Sequence, residues 1–161
     1  MERTRVALLS DWLRDAHRAR HAHSEAAAHY ARLDLWLGGT AVVLAAVIGT
    51  SVFATLGQPL PTVARVSAAL VTFAAAALSG FQTFLKAAAQ AEAHRQASHR
   101  YEGLVREIEQ LEIDPPATEE EADREFDRVR SGFYQAGDSA PQVPSRSWAR
   151  VERMPGAGER R

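Results

Sequence analysis

Two long stretches without a single charged residue constrain this chain more than anything else in it. Leu35 to Gly57 reads LWLGGTAVVLAAVIGTSVFATLG, 23 residues. As a helix rising about 1.5 Å per residue it would extend about 34 Å, against a bilayer hydrocarbon core of about 30 Å. Val66 to Leu85 reads VSAALVTFAAAALSGFQTFL, 20 residues, which is about 30 Å by the same rise. The second block is rich in Ala and carries Gln82. Core helices of soluble proteins seldom stay uncharged for ~20 residues, so both blocks are predicted to cross a membrane. The linker from Gln58 to Arg65 holds Pro59 and Pro61. Prolines there end one helix and allow a tight reversal before the next.

The charge balance narrows the function classes. There are 19 basic and 20 acidic residues, for a net charge of −1. That excludes a polycation built to coat nucleic acid and an acidic solvating tail. The chain has no Cys, so disulfide scaffolds, thiolate zinc sites and cysteine nucleophiles are excluded too.

The helical pattern continues outside the apolar blocks. Before the first, Leu9, Trp12, Ala16, Ala19, His23, Ala26, Tyr30, Leu33 and Leu37 recur at steps of three and four, the spacing of a heptad seam. After the second, Ala87, Gln90, His94, Ala97, Tyr101, Leu104, Ile108 and Leu111 do the same. Glu and Arg occupy the outer faces, as in Glu102 with Arg106 at i,i+4. These seams predict an all-α membrane protein. Two long helices form a transmembrane hairpin, each half in lipid (about 35–57 and 66–85) and half in a cytoplasmic stalk (5–34 and 86–113). The stalk would be about 40 Å long. Its seams are rich in Ala, which permits close approach but buries little area. More helices, from this chain or from other copies, are expected to complete it, and self-association is the favoured reading.

Pro115 and Pro116 stop the second long helix. Thr118 and Glu121 form a capping-box pattern, and Ala122, Phe126, Val129 and Phe133 make one apolar stripe. This predicts a short amphipathic helix over 118–135 folded back on the stalk, closing a two-transmembrane helical domain at 4–136. Residues 137–161 are rich in Pro, Ser, Arg and Gly. They are predicted to be extended to about Met154 and then disordered.

Catalytic patterns are not found: there is no Gly-rich phosphate loop, nucleophile elbow or paired-carboxylate signature. His17 and His21 are four apart, with His23 near, but no further ligand joins them in a metal-binding pattern. The expectation is therefore no enzyme, no metal and no cofactor. His23 and His94 fall on seam positions, where a His is usually a hydrogen-bonded packing residue, and one able to bias packing with pH.

The membrane-level polar residues carry more. On the second block Arg65, Thr72, Ser79, Thr83 and Lys86 share one face, with Ala68, Ala75 and Ala76 between them. Leu70, Phe73, Phe81 and Phe84 lie opposite. The small hydroxylated side is the candidate packing or pore-lining face, and the bulky side suits lipid. No carboxylate lies in either block, which argues against a proton- or cation-coupled transporter. For orientation, Arg18, Arg20 and Arg32 precede the first block, Lys86, Arg95 and Arg100 follow the second, and Arg65 alone is in the linker. The positive-inside rule then puts both termini in the cytoplasm, with Trp36 as an interface anchor.

This arrangement resembles the SLATT family, two-transmembrane effectors associated with nucleotide-synthesising and nucleotide-sensing domains in bacterial conflict systems. The resemblance lies in a long N-terminal helix, two spans with a short turn, AEAHRQASHRYEGLVREIEQLE (Ala91 to Glu112) and APQVPSRSWARVE (Ala140 to Glu152). Ala91, Glu92, His94, Arg95, Ala97, Tyr101 and Leu104 are similar to the family's post-membrane helix, and Ala140, Pro141, Val143 and Pro144 to its C-terminal Pro-containing segment. It implies an oligomeric effector that breaches the bacterial inner membrane, triggered by a separate nucleotide-sensing or nucleotidyltransferase partner. It supplies no catalytic residues. The competing expectation is a membrane-anchored scaffold for a cytoplasmic partner.

Overall fold

A computed structural model describes residues 2–54 and 61–153, with backbone alone for 2–4, 48–54 and 82–85. The described residues form five α-helices and no strand: α1 (Glu2–Ala54), α2 (Thr62–Leu85), α3 (Ala87–Ile113), α4 (Glu119–Ser139) and α5 (Ser145–Glu152). By contacts the chain divides into two compact units. Unit 1 comprises 1–28 and 90–161, and unit 2 comprises 29–89.

Helix α1 contains no Pro, and its first Gly is Gly38, so nothing interrupts it before the apolar block. Helix α2 starts behind Pro61, whose carbonyl accepts the Arg65 amide at 3.2 Å. Pro59 lies outside the described residues. The second long helix departs from expectation. It is broken at Lys86, which takes a φ of 45° between α2 and α3. That is left-handed backbone, disfavoured for a residue with a Cβ.

Unit 1 is a helical bundle. The start of α1 and α3 run antiparallel: His23 meets His94, the Ser98 hydroxyl donates to the Arg20 carbonyl at 3.1 Å, and Ala16 shares a cluster with Tyr101. Their seam is mostly methyl groups, with Ala16, Ala22, Ala26, Ala91 and Ala97 all buried. Larger side chains enter where α4 packs. Tyr101, Leu104, Val105 and Ala136 form a core that Leu13, Ala19 and Phe133 extend, and Ile108 and Val129 are fully buried. Trp12 stacks on Phe126 with ring centroids 4.9 Å apart. The helices that complete the Ala-rich seam thus come from this chain itself.

The capping box forms as predicted. Thr118 Oγ1 accepts the Glu121 amide at 3.2 Å, and Glu121 Oε2 accepts the Thr118 amide at 3.3 Å. Arg5 crosses from α1 to α4, pairing with Glu119 at 2.8 Å and Asp123 at 2.6 Å. Two expectations need correction. The short helix predicted for 118–135 continues to Ser139, where the Ser139 hydroxyl donates back to the Gln135 carbonyl at 2.7 Å. Part of the tail predicted as extended is helix α5. Pro144 accepts the Ser147 amide at 2.9 Å to start it, Ser147 and Val151 are buried one turn apart, and Arg150 pairs with Glu25 of α1 at 2.6 Å. The loop-forming residues around it dominated the composition and hid that pattern. Residues from 154 onward, predicted as disordered, lie outside the described residues.

Unit 2 holds the later part of α1 and all of α2. Its half-buried and buried positions recur at heptad spacing on both helices: Tyr30, Asp34, Leu37, Ala41 and Leu44 on α1, and Ala64, Ala68, Val71, Ala75 and Leu78 on α2. Among the described residues, several other large apolar side chains stand out from the protein. Leu35, Trp36, Val42 and Val43 on α1 and Val63, Leu70, Phe73 and Phe81 on α2 are 60–77% exposed. Both helices are long and apolar enough to cross a membrane.

Candidate functional site

Each unit holds part of the predicted residue set. In unit 2, the face assigned on α2 divides. Its alanines Ala68 and Ala75 lie on the half-buried stripe, whereas Arg65, Thr72 and Ser79 are exposed beside it. The polar part of the face is therefore left uncovered by this chain. The Thr72 hydroxyl donates to the Ala68 carbonyl at 2.8 Å, and Ser67 to Val63 at 2.9 Å. Such back-bonding satisfies a hydroxyl within its own helix. Lys86 is exposed at the joint. The Thr83 and Phe84 side chains lie outside the described residues. Tyr30, assigned to the stalk seam, is half-buried here, with its ring edge-on to His29 at 5.6 Å.

In unit 1 the remaining seam residues are brought inward. Tyr101, Leu104 and Ile108 are buried, and Leu9, Trp12 and Leu111 are half-buried. The two seam histidines meet directly. His23 Nδ1 lies 2.9 Å from His94 Nδ1, and both rings are at least 97% buried, His23 being 3% and His94 1% exposed. A neutral imidazole carries one N–H and one lone pair. A hydrogen bond between two Nδ1 atoms therefore requires opposite tautomers, one donating and the other accepting. Tyr101 stacks on His23 at 5.7 Å, and Phe133 meets Tyr101 edge-on at 5.9 Å.

Electrostatics agrees with a neutral pair. Burial, reinforced by the neighbouring His94 ring, pushes the His23 pKa down to about 4. Burial also lowers that of His94 and raises that of the Tyr101 phenol. His17 and His21 are not brought to a common point. His17 Nε2 is 3.8 Å from Glu109, and His21 Nε2 is 3.2 Å from the Arg20 guanidinium. Among the described residues, no group of three or more His, Cys, Asp or Glu is placed to hold a metal ion.

Sequence reasoning placed each His on a seam but missed their pairing, which depends on the register between α1 and α3. It also missed Val105, Ala136, Ser147 and Val151. Val105 was within reach, because it completes the i, i+3, i+4 pattern of Tyr101, Leu104 and Ile108. Gly132 was missed too. A Cβ there would stand 2.8 Å from Leu104 Cδ2, so any other residue would need the Leu104 side chain to shift. Gly132 and Ala136 are small residues one turn apart, the signal that would have found this contact.

No family profile, curated protein or solved structure matches this chain.

Proposed function

We propose that this chain is a non-enzymatic, oligomeric membrane effector whose α1 and α2 apolar segments form a transmembrane hairpin, and that several copies form or gate a pore in a bacterial inner membrane. One observation carries the reading: both apolar helices present bulky side chains outward, while α2 leaves a separate polar stripe, Arg65, Thr72 and Ser79, uncovered. Outward Leu, Val and Phe suit lipid. Two helices cannot enclose water, so the polar stripe would line a path only where several hairpins meet. The distribution of Arg and Lys supports cytoplasmic termini. The resemblance to the SLATT family supports a role in bacterial conflict or anti-phage defence, with a nucleotide-sensing or nucleotidyltransferase protein as trigger.

The test is expression in cells loaded with a membrane-potential dye, together with the proposed trigger. Depolarisation is expected. Replacing Thr72, Ser79 and Thr83 together by Leu should abolish most of it while membrane insertion is retained. Full insertion without depolarisation under any trigger would remove the pore.

A second reading has its own support. The Thr72 hydroxyl is satisfied by its own helix and needs no water, as expected if the stripe only packs helices. The chain would then be a membrane-anchored scaffold holding a cytoplasmic partner through unit 1. That reading requires the Leu variants to be indistinguishable from the parent and the partner to be retained.

A further inference from the structure

The His23–His94 contact joins α1 to α3 inside unit 1, away from both apolar segments of the sequence. Two neutral rings of opposite tautomer satisfy one another at Nδ1. One turn away on the same seam stand buried alanines, Ala26 and Ala27 on α1 and Ala91 and Ala97 on α3. We propose that this imidazole pair is an acid-sensitive latch, closed while both rings are neutral and opened when a proton from water enters the pair.

The chemistry leaves the proton two places to go. On the accepting Nδ1 it consumes the lone pair, so two N–H groups face each other at 2.9 Å. On the donating ring it preserves the hydrogen bond but leaves an imidazolium in a nearly water-free seam, where an uncompensated charge is costly. The surrounding charged groups are engaged elsewhere. On α1 the Arg20 guanidinium contacts His21, and Glu25 is paired with Arg150 of α5. On α3 Glu92 accepts from Arg95 and Gln96, and Tyr101 stacks on His23 with its phenol kept protonated by burial. Helix α4 reaches this neighbourhood through the Phe133 ring against Tyr101. Burial is the leading cause of the depression at both rings.

The sign follows from those depressed pKa values. An opened seam returns the rings toward the ordinary value of about 6.5, so the open form binds protons more tightly. Latch stability is complete above about pH 6.5 and declines with acid toward the folded value of about 4 for His23. By linkage, His23 alone makes opening roughly 20-fold more favourable at pH 5 than at neutrality.

Hydrogen–deuterium exchange on the full-length protein in detergent micelles, corrected for intrinsic rates, tests this. Protection of residues 16–28 and 90–101 should fall at least 10-fold between pH 7.5 and pH 5. In the His23→Asn/His94→Asn variant, whose amides can bond to each other but do not titrate, protection should be flat over the same range. An unchanged parent, or a variant that keeps the acid response, overturns the proposal. Should the variant fail to fold, imidazole nitrogen NMR of the parent decides. One ring protonated at Nδ1 and the other at Nε2, with His23 still neutral at pH 5.5, is the expected result. Matching tautomers or an ordinary midpoint near 6.5 overturns it.

Discussion

At the scale of single residues, two glycines on facing helices show why local propensity and packing must be weighed separately. Gly103 on α3 is exposed, and a Cβ there would meet nothing within 4 Å. Gly103→Ala should therefore gain most of the helix-propensity difference, about 0.5–1 kcal/mol. Gly132→Ala would gain the same propensity, but its Cβ would drive into Leu104 Cδ2, and Leu104 is 6% exposed within the core. Overpacking of that kind costs about 1–3 kcal/mol, so the net effect should be destabilising. Thermal melts of the two variants in one detergent should move in opposite directions. A rise for Gly132→Ala would mean that Leu104 has room to turn aside. Lys86 belongs at this scale too. It occupies a backbone region natural to glycine, and the strain is confined to the joint between α2 and α3.

At the scale of elements, α5 is the least expected feature. Its eight residues would be unstable alone, so its helicity depends on burying Ser147 and Val151 and on the Arg150–Glu25 pair. The exposed pair is worth under about 1 kcal/mol; burial of Val151 is worth more, roughly 2 kcal/mol. Val151→Asp should release the segment after Pro144 to limited proteolysis while α1, α3 and α4 stay resistant. Arg150→Ala should leave cleavage nearly unchanged. The same logic separates what was legible in the sequence from what was not. The apolar segments of α1 and α2, the seam faces, the stop at Pro115–Pro116 and the Thr118 cap were readable because each rests on neighbours within a few turns. The Lys86 joint, the pairing of His23 with His94 and the docking of α5 depend on which distant segment arrives opposite, and no local period encodes that. Of the candidate polar face on α2, the sequence gathered hydroxyls and alanines on one side. It did not show that Ala68 and Ala75 turn to the covered stripe while Ala76, Thr72 and Ser79 turn to the uncovered one.

At the scale of the whole molecule, one unit folds around its own core while the other leaves large apolar side chains such as Leu35, Trp36, Leu70 and Phe73 exposed. Val66, Leu70, Phe73 and Val63 are 54–77% exposed, and contiguous apolar patches of this kind lead to association in water. The proposed topology makes a direct prediction. Membranes carrying the protein should retain it through alkaline extraction. Protease added to inside-out vesicles should reach tags at both ends of the chain, and protease added to right-side-out cells should reach neither. One exposed terminus on each side would break the hairpin. The Ala-lined seam of unit 1 has a practical consequence for anyone mapping this protein by mutagenesis. Truncation scanning will pass over its most intimate interface, since side chains there have no atoms left to remove, and only added bulk, such as Leu in place of the fully buried Ala16 or Ala97, will reveal how closely the backbones are held.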